Sequence, residues 1–314
     1  MVETRRLFTF MRIVDIGSLT RAADVLRVAQ PALSQQMQAL EAEFGQPLLV
    51  RSRRGVQPTA AGDALYRHAQ VILRQWEDAV ADVRVAGDGL TGSVSVGLAP
   101  YSNASLVAGE LLAAVREKFP QVRLRITDNF GAVLSEAMMT GRLDLAILYD
   151  RGPIRGVNLE RLYGEPLALM THPGDDPDAD GEPLELADLG ARNLLLPGPT
   201  HTIRQVVTEA CEEVGVRPRV VAEVESVGLV QQAVESGLGD TILPHSLARR
   251  VAAEAGLVVR PLPELEVYLS LGTPAALPRS EPAQKVHSLL REILQRLMPT
   301  WLRGLEGSAW TKSG

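Results

Sequence analysis

Apolar residues near the start of the chain recur at helical spacing. Leu7, Phe10, Met11 and Val14 fall at i, i+3, i+4 and i+7, predicting a first helix that Gly17 stops. Ser18 is a suitable N-cap for a second helix, in which Leu19, Ala22, Ala23 and Leu26 repeat the spacing. The small Ala22-Ala23 pair lets a neighbouring helix approach closely. After a short turn at Val28–Gln30, Pro31 sits in the first turn of a third helix with Leu33, Met37, Leu40 and Phe44 on its apolar face, ending at Gly45. Two short helices joined by a tight turn form a helix-turn-helix, whose second helix enters the DNA major groove.

At about 100° per residue, Pro31, Gln35 and Gln38 lie opposite the apolar face, Ser34 lies on the flank and Gln36 falls nearer the core edge. Gln35 can bond adenine in bidentate fashion, and Ser34 suits several base edges. A solvated polar helix face is the alternative. The next segment favours nucleic acid: Leu48–Arg51 and Val56–Pro58 read as short strands around Ser52-Arg53-Arg54-Gly55. This predicts a β-wing tipped with arginine, suited to phosphates or a narrow minor groove.

Thr59 then caps a long helix running to about Val85. Leu65, Ala69, Ile72, Trp76, Ala79 and Val83 alternate by 4 and 3 residues, the seam of a coiled coil. At about 1.5 Å per residue this helix spans roughly 40 Å, too long to bury its stripe on one small head. Self-association is expected, with packing on the chain's own body as the alternative. A symmetric dimer would set two reading helices on two half-sites.

Gly87-Asp-Gly-Leu-Thr-Gly92 matches GxGxxG by letter, but it follows a helix and precedes a strand, the reverse of a dinucleotide site. It reads as a linker. Beyond it, strand and helix patterns alternate. Strands are expected at Val94–Leu98, Val122–Thr127 and Leu143–Tyr149, with helices at Ser102–Phe119 (carrying Leu106, Leu111, Leu112 and Val115) and about Ala132–Thr140. A second unit places strands at Leu194–Leu196, Val220–Val224, Thr241–Leu243 and Val267–Leu271. Its helices fall at about Thr202–Val214, Val227–Glu235 and Glu281–Leu302. Such alternation predicts an α/β body with a largely parallel sheet. Pro173–Gly181 reads as an acidic, exposed loop.

Charge sharpens this division. The 314 residues carry a net −6, yet residues 1–58 hold eight arginines against five carboxylates, a balance of +3 that leaves −9 on the remainder. A basic head on an acidic body means that only the head meets a polyanion. No stretch approaches the roughly 18 apolar residues of a membrane span. The amphipathic start, with Glu3, Arg5 and Arg6, is unlike a signal peptide, so a cytoplasmic protein with no membrane contact is expected. The single cysteine, Cys211, lies within a predicted helix among apolar neighbours and reads as a packed thiol. The five histidines (His68, His172, His201, His245 and His287) are dispersed with no metal-ligand spacing, and neither a GxSxG elbow nor a P-loop occurs. Neither an enzyme nor a cofactor is expected.

The run Leu7-Phe-Thr-Phe-Met-Arg-Ile-Val-Asp-Ile-Gly-Ser-Leu-Thr-Arg-Ala-Ala23 resembles the start of LysR-type transcriptional regulators. So do Ala29-Gln-Pro-Ala-Leu-Ser-Gln-Gln-Met-Gln-Ala-Leu-Glu41 and Pro47-Leu-Leu-Val-Arg-Ser-Arg-Arg-Gly-Val-Gln-Pro-Thr-Ala-Ala-Gly62. Ile16–Thr20, Gln30–Gln36 and Gly97–Pro100 are most similar to the family's nitrogen assimilation control branch. The resemblance extends more weakly beyond residue 90. It implies an α+β multidomain chain: a winged helix-turn-helix at 1–58, a linker and dimerisation helix at 59–92, a two-lobed periplasmic-binding-protein-like effector domain at 93–303, and a tail at 304–314. Lobe I would comprise 93–164 with 268–303, and lobe II 165–267. The resemblance sets Gln30, Pro31, Ser34 and Gln35 toward the major groove; with Gln38, Ser18, and Arg51, Arg53 and Arg54 of the wing, these are the expected DNA contacts. Many members carry arginine or lysine in place of Gln35, a departure that leaves the half-site sequence open.

Two crossings between lobes imply a hinge. Ligands of open α/β sheets sit beyond strand C-termini near helix N-termini, where free N–H groups favour a carboxylate-like or sulfate-like anion. Pro100, Tyr101, Ser102 and Asn103 occupy that place in lobe I, and Thr200, His201 and Thr202 in lobe II; Asn129, Tyr149 and Ser226 complete the expected crevice. Each also has a structural reading: Ser102 and Thr202 as helix caps, Tyr149 as core, His201 as surface. The expected partners are double-stranded promoter DNA, further copies in a homodimer or homotetramer, a small anionic effector and RNA polymerase. The alternatives are the same regulator without an effector, its C-terminal domain serving only oligomerisation, and, more distantly, a solute-binding protein or an enzyme on this scaffold.

Overall fold

The computed structural model describes residues 3–52, 55–85, 90–176 and 182–301. They form two compact units, a head that includes the long helix and a body beginning at Leu90.

In the head, α1 (Thr4–Ile16) buries Leu7, Phe10 and Ile13, while Met11 and Val14 pack at the rim. Gly17 ends it in the left-handed region, φ 67°, where glycine avoids the steric penalty of a side chain. α2 (Leu19–Leu26) is capped by Ser18 and ends at Arg27, the described non-glycine residue with positive φ. α3 (Gln30–Phe44) buries Leu33, Met37 and Leu40. Phe44, expected in the core, is instead 44% exposed: it lies in the last turn, and Leu48, entering the wing, closes the core. The wing pairs β1 (Leu49–Ser52) with β2 (Gly55–Pro58) antiparallel, Arg51 opposite Val56. Val56 N–H donates to Gly17 O at 2.9 Å, docking the wing on the first interhelical turn.

α4 (Ala60–Val85) follows Thr59, whose hydroxyl accepts from Gly62 N–H at 3.0 Å and donates to Pro47 O at 2.7 Å. A Cβ at Gly62 would stand 2.0 Å from Leu48 O, so the helix starts against the wing backbone only because this residue has no side chain.

The body is built on a six-stranded sheet ordered β4-β3-β5-β10-β6-β9. β3 (Gly92–Leu98) lies parallel to β4 (Val122–Asp128) and β5 (Leu145–Asp150); α5 (Ala104–Lys118) and α6 (Gly131–Met139) connect them. The other half contains β6 (Val157–Thr171), a 3-10 turn at Leu186–Ala191, β7 (Asn193–Leu196), α7 (Thr202–Glu213) and β8 (Arg219–Glu223). It continues through α8 (Val227–Glu235), β9 (Thr241–Pro244) and α9 (His245–Ala255). β10 (Val258–Pro274) and α10 (Glu281–Trp301) complete the body.

The sheet is mixed rather than largely parallel. β10 runs antiparallel to both β5 and β6, and β6 antiparallel to β9, while β7 and β8 form a separate parallel pair. β6 and β10 are the longest strands and pair along most of their length, with register shifts between Leu262 and Glu266 and between Leu269 and Ser270. β6 and α9 have no counterpart in the sequence pattern, and β10 is far longer than Val267–Leu271. Gly164 and Pro166 break the alternation of β6, as Pro261 and Pro263 break that of β10, and a proline removes a ladder donor. On α5 the buried stripe is Ala104, Val107, Leu111 and Val115. Leu106 and Leu112, expected inside, are one position off that stripe and exposed.

Candidate nucleic-acid interface and interlobe crevice

α3 presents Gln30, Pro31, Gln35 and Gln38 to solvent while Leu33, Met37 and Leu40 anchor its opposite face. Ser34 is half-buried, and its Oγ accepts from Arg51 Nη2 at 3.1 Å, joining α3 to the β1–β2 hairpin. Ser18 is half-buried and engaged as a cap, accepting from Arg21 N–H at 3.4 Å. Arg53 and Arg54, the expected wing tip, lie outside the described residues.

Sequence reasoning missed Glu41. Its Oε1 accepts from the backbone N–H groups of Leu48 and Leu49 at 2.9 and 3.1 Å, so one carboxylate oxygen fixes where the wing leaves α3. An isolated acid seven residues before a strand carries no spacing signal. Tyr66 on α4 donates to a carboxylate oxygen of Asp15 on α1; burial, reinforced by that carboxylate, pushes the phenol up to about 12.

The seam of α4 divides. Leu65 and Ala69 are buried in the head's own core. Ile72, Trp76 and Val83 are 44, 58 and 77% exposed, and Ala79 is exposed beside them. Its first third thus closes the head, while Ile72, Trp76, Ala79 and Val83 form an apolar strip that no described residue buries.

In the body, Tyr101 and His201 of the expected crevice residues come into direct contact, and most of the others bond to residues outside that set. Tyr101 is buried, and its hydroxyl donates to Val224 O at 2.6 Å, bridging the β3–α5 turn and the end of β8. His201 packs edge-on against Tyr101 and Phe130, with ring centroids 5.0 and 5.3 Å apart. His201 Nδ1 accepts from Ile203 N–H at 3.2 Å, which makes this histidine, rather than Thr202, the cap of α7. Burial lowers its pKa from 6.5 to about 4, so at neutral pH it supplies no charge to an anion. Thr202 Oγ1 faces Gly131, where a Cβ would stand 3.6 Å away. Arg151 and Glu209 pair through both guanidinium nitrogens, one contact at 2.8 Å, adding a further bridge.

Ser102 Oγ accepts from Ala104 N–H at 3.0 Å and donates to Ala99 O at 2.7 Å. Asn129 Oδ1 accepts from Phe130 N–H, and Ser226 Oγ accepts from Leu229 N–H at the start of α8. Asn103 points to α9, donating to Ser246 Oγ at 2.9 Å and accepting from Arg250 Nε at 3.3 Å. Tyr149 is buried and donates to Glu165 Oε1 at 2.8 Å; Thr200 is exposed and Pro100 half-buried. Ala104 N–H at the start of α5 and Ile203 N–H at the start of α7 are therefore already occupied. Glu165, Phe130 and Val224, none of them expected here, supply the contacts. Glu165 is fully buried, and burial raises its pKa against the opposing effect of bonds from Ser246 and Tyr149.

Among the described residues no helix is long and apolar enough to cross a membrane, and no three metal-ligating side chains gather.

Comparison with known proteins matches residues 4–63 to the family described as "Bacterial regulatory helix-turn-helix protein, lysR family" and residues 87–297 to "LysR substrate binding domain". The nitrogen assimilation regulatory protein of Escherichia coli is 42% identical over 92% of this chain and 94% of its own length. Its counterpart from Klebsiella aerogenes is 41% identical over 94 and 96%. Among solved structures, a full-length OxyR variant from Pseudomonas aeruginosa is 25% identical, covers 94% of this chain and 95% of its own, and superposes with a TM-score of 0.67. CbnR complexed with its target DNA is 23% identical, covering 94 and 99%, with a TM-score of 0.63.

Proposed function

We propose how this chain, which belongs to the LysR family of DNA-binding transcriptional regulators, divides that work among its parts. The head, residues 1–58, lays α3 in the major groove, where Gln35 reads a base edge with Gln30, Pro31, Ser34 and Gln38 around it. Ser18 lies by the backbone, and Arg51, Arg53 and Arg54 meet phosphates. The observation that carries this is the exposed Gln35 on a helix held rigid behind by Leu33, Met37 and Leu40 and tied to the wing through Arg51 and Ser34.

Residues 59–92 link and pair the heads. Ile72, Trp76, Ala79 and Val83 face a second copy, whereas Leu65 and Ala69 belong to the head's core. Dimers pair again into tetramers on promoter DNA in the cytoplasm, within reach of RNA polymerase. The E. coli and Klebsiella relatives support promoters of nitrogen assimilation genes.

The body, 93–303, divides into lobe I (93–164 and 268–303) and lobe II (165–267) and gates the heads. A small carboxylate-like or sulfate-like effector would enter the crevice only by parting Tyr101 from Val224 and His201 from its aromatic neighbours. Binding and opening are then one event, which shifts the spacing of paired heads.

Fluorescence anisotropy with a promoter duplex tests the head. Gln35→Ala loses about 1–3 kcal/mol of discrimination between target and random DNA. Arg51→Ala weakens both equally and makes the salt dependence shallower. Unchanged discrimination in Gln35→Ala overturns the assigned orientation of α3.

A further inference from the structure

A second opening between the lobes excludes Tyr101, His201 and Phe130. It is a groove of about 600 Å³ whose lining includes Asn103 and Leu106 of the α5 segment, Ser246, Arg249 and Arg250 of α9, and Trp301 at the end of α10. α5 and α10 belong to the half of the sheet built on β3, β4 and β5, and α9 to the half built on β9. Whatever fills the groove touches both. The volume is that of a small-molecule site.

Its walls differ in chemistry. Asn103 and Ser246 are buried and bonded to each other at 2.9 Å, a fixed polar floor. Arg250 leans on that floor through Nε, 3.3 Å from Asn103 Oδ1, and leaves both Nη groups without a partner among the described residues. Arg249, the next residue, has no hydrogen bond or ion pair among the described residues. The groove's acid, Glu110, is already paired with Arg296. The same groove is lined by apolar surfaces: Leu106, Leu297, and the Trp301 ring, which itself packs edge-on against Tyr163 at 6.4 Å.

The geometry points to a binding site for a small organic anion, a carboxylate on an apolar body of a few carbons, held by Arg249 and Arg250 with its body against Leu106, Leu297 and Trp301. Charge complementarity selects the class: two cations with unused donors meet no free carboxylate in the groove, and a bound carboxylate takes charge-assisted bonds from both. The site is separate from the crevice but linked to it. Asn103 lies two residues beyond Tyr101, so an anion that fixes Asn103 between Arg250 and Ser246 steadies the segment whose tyrosine bonds Val224. The ligand acts as a wedge setting the angle between lobes.

Titration calorimetry on the full-length protein without DNA tests this, so its outcome is independent of the DNA reading above. Hexanoate binds saturably at millimolar concentration, while hexan-1-ol, of similar shape but without charge, binds at least about tenfold more weakly. Arg249→Gln, at an exposed position without a partner among the described residues, weakens hexanoate about tenfold. Ala253→Trp, which fills the groove without altering charge, abolishes binding. Absence of saturable hexanoate binding overturns the proposal, as does binding that both substitutions leave unchanged. Binding that appears only when the chain is cut after Trp301 also overturns it, making residues 302–314 the occupant.

Discussion

Glu41 offers a direct test of how the wing is held. Its Oε1 accepts from Leu48 N–H at 2.9 Å and Leu49 N–H at 3.1 Å, and the side chain is half-buried. A hydrogen bond to a charged group contributes about 1.5–3 kcal/mol, so two reach about 6 at most. Both end on one oxygen in a site that water partly reaches, and about 3 kcal/mol is the reasoned loss in Glu41→Ala. Glu41→Gln retains an amide oxygen able to accept both bonds and loses only the charge, about 1 kcal/mol. For a unit of the head's size, about 1 kcal/mol moves the midpoint by roughly 4–8 °C. Scanning calorimetry that separates head from body should therefore show the head falling by roughly 12–24 °C in the alanine variant and 4–8 °C in the glutamine one. The same variants should weaken DNA binding in that order, because a wing without its anchor no longer holds Arg51 against Ser34. Equal losses in the two variants would refute the reasoning, since the geometry assigns most of the effect to the acceptor rather than to its charge.

Other expectations follow from neighbouring geometry. Gly62→Ala sets a Cβ 2.0 Å from Leu48 O, which cannot withdraw because it already accepts from Thr59 N–H; the head should lose about 3 kcal/mol in denaturant unfolding, and a loss under about 1 would contradict the contact. Trp76, 58% exposed, has roughly 150 Å² to bury against a second copy, at most about 3–4 kcal/mol per protomer. Trp76→Glu should yield monomers in sedimentation, and an unaltered oligomer would place the seam elsewhere. Burial holds both His201 and His245 at about 4, the latter helped by the Arg249 charge. The unfolded chain binds those protons below about pH 6.5 and the folded one does not, so stability is complete above pH 6.5 and falls as pH drops toward 4. A thermal midpoint of the body that stays level across this window, or an unchanged slope in His201→Gln, would count against the burial.

What could be read from the sequence ended where closure became non-local. The head's helices bury residues three and four apart, and local spacing identified them down to the anchors Leu33, Met37 and Leu40. It misplaced Phe44 because nothing local reveals that Leu48, arriving from the wing, closes the core first. The heptad run on α4 was equally legible, but the division of its stripe at Ala69 depends on which turns face α1. In the body, glycine and proline hid β6 and β10, the longest strands of the sheet, and with them the buried Glu165. The crevice shows the same limit in chemical form. Strand ends and helix starts located Tyr101, Ser102, Asn103 and His201, and their polar atoms looked free for an anion. Tyr101 instead meets a carbonyl 123 residues away, and Asn103 a hydroxyl 143 away. His201 is made neutral by burial and engaged by its own helix. A buried polar group left unpaired costs about 1–3 kcal/mol, so a fold that closes on such residues satisfies them from whatever lies nearest in space. Any ligand of the crevice must therefore replace bonds already made, whereas Arg249 and Arg250 in the neighbouring groove have donors that no described residue takes. By that measure, a passing carboxylate meets less resistance at the groove than at the site local pattern had marked.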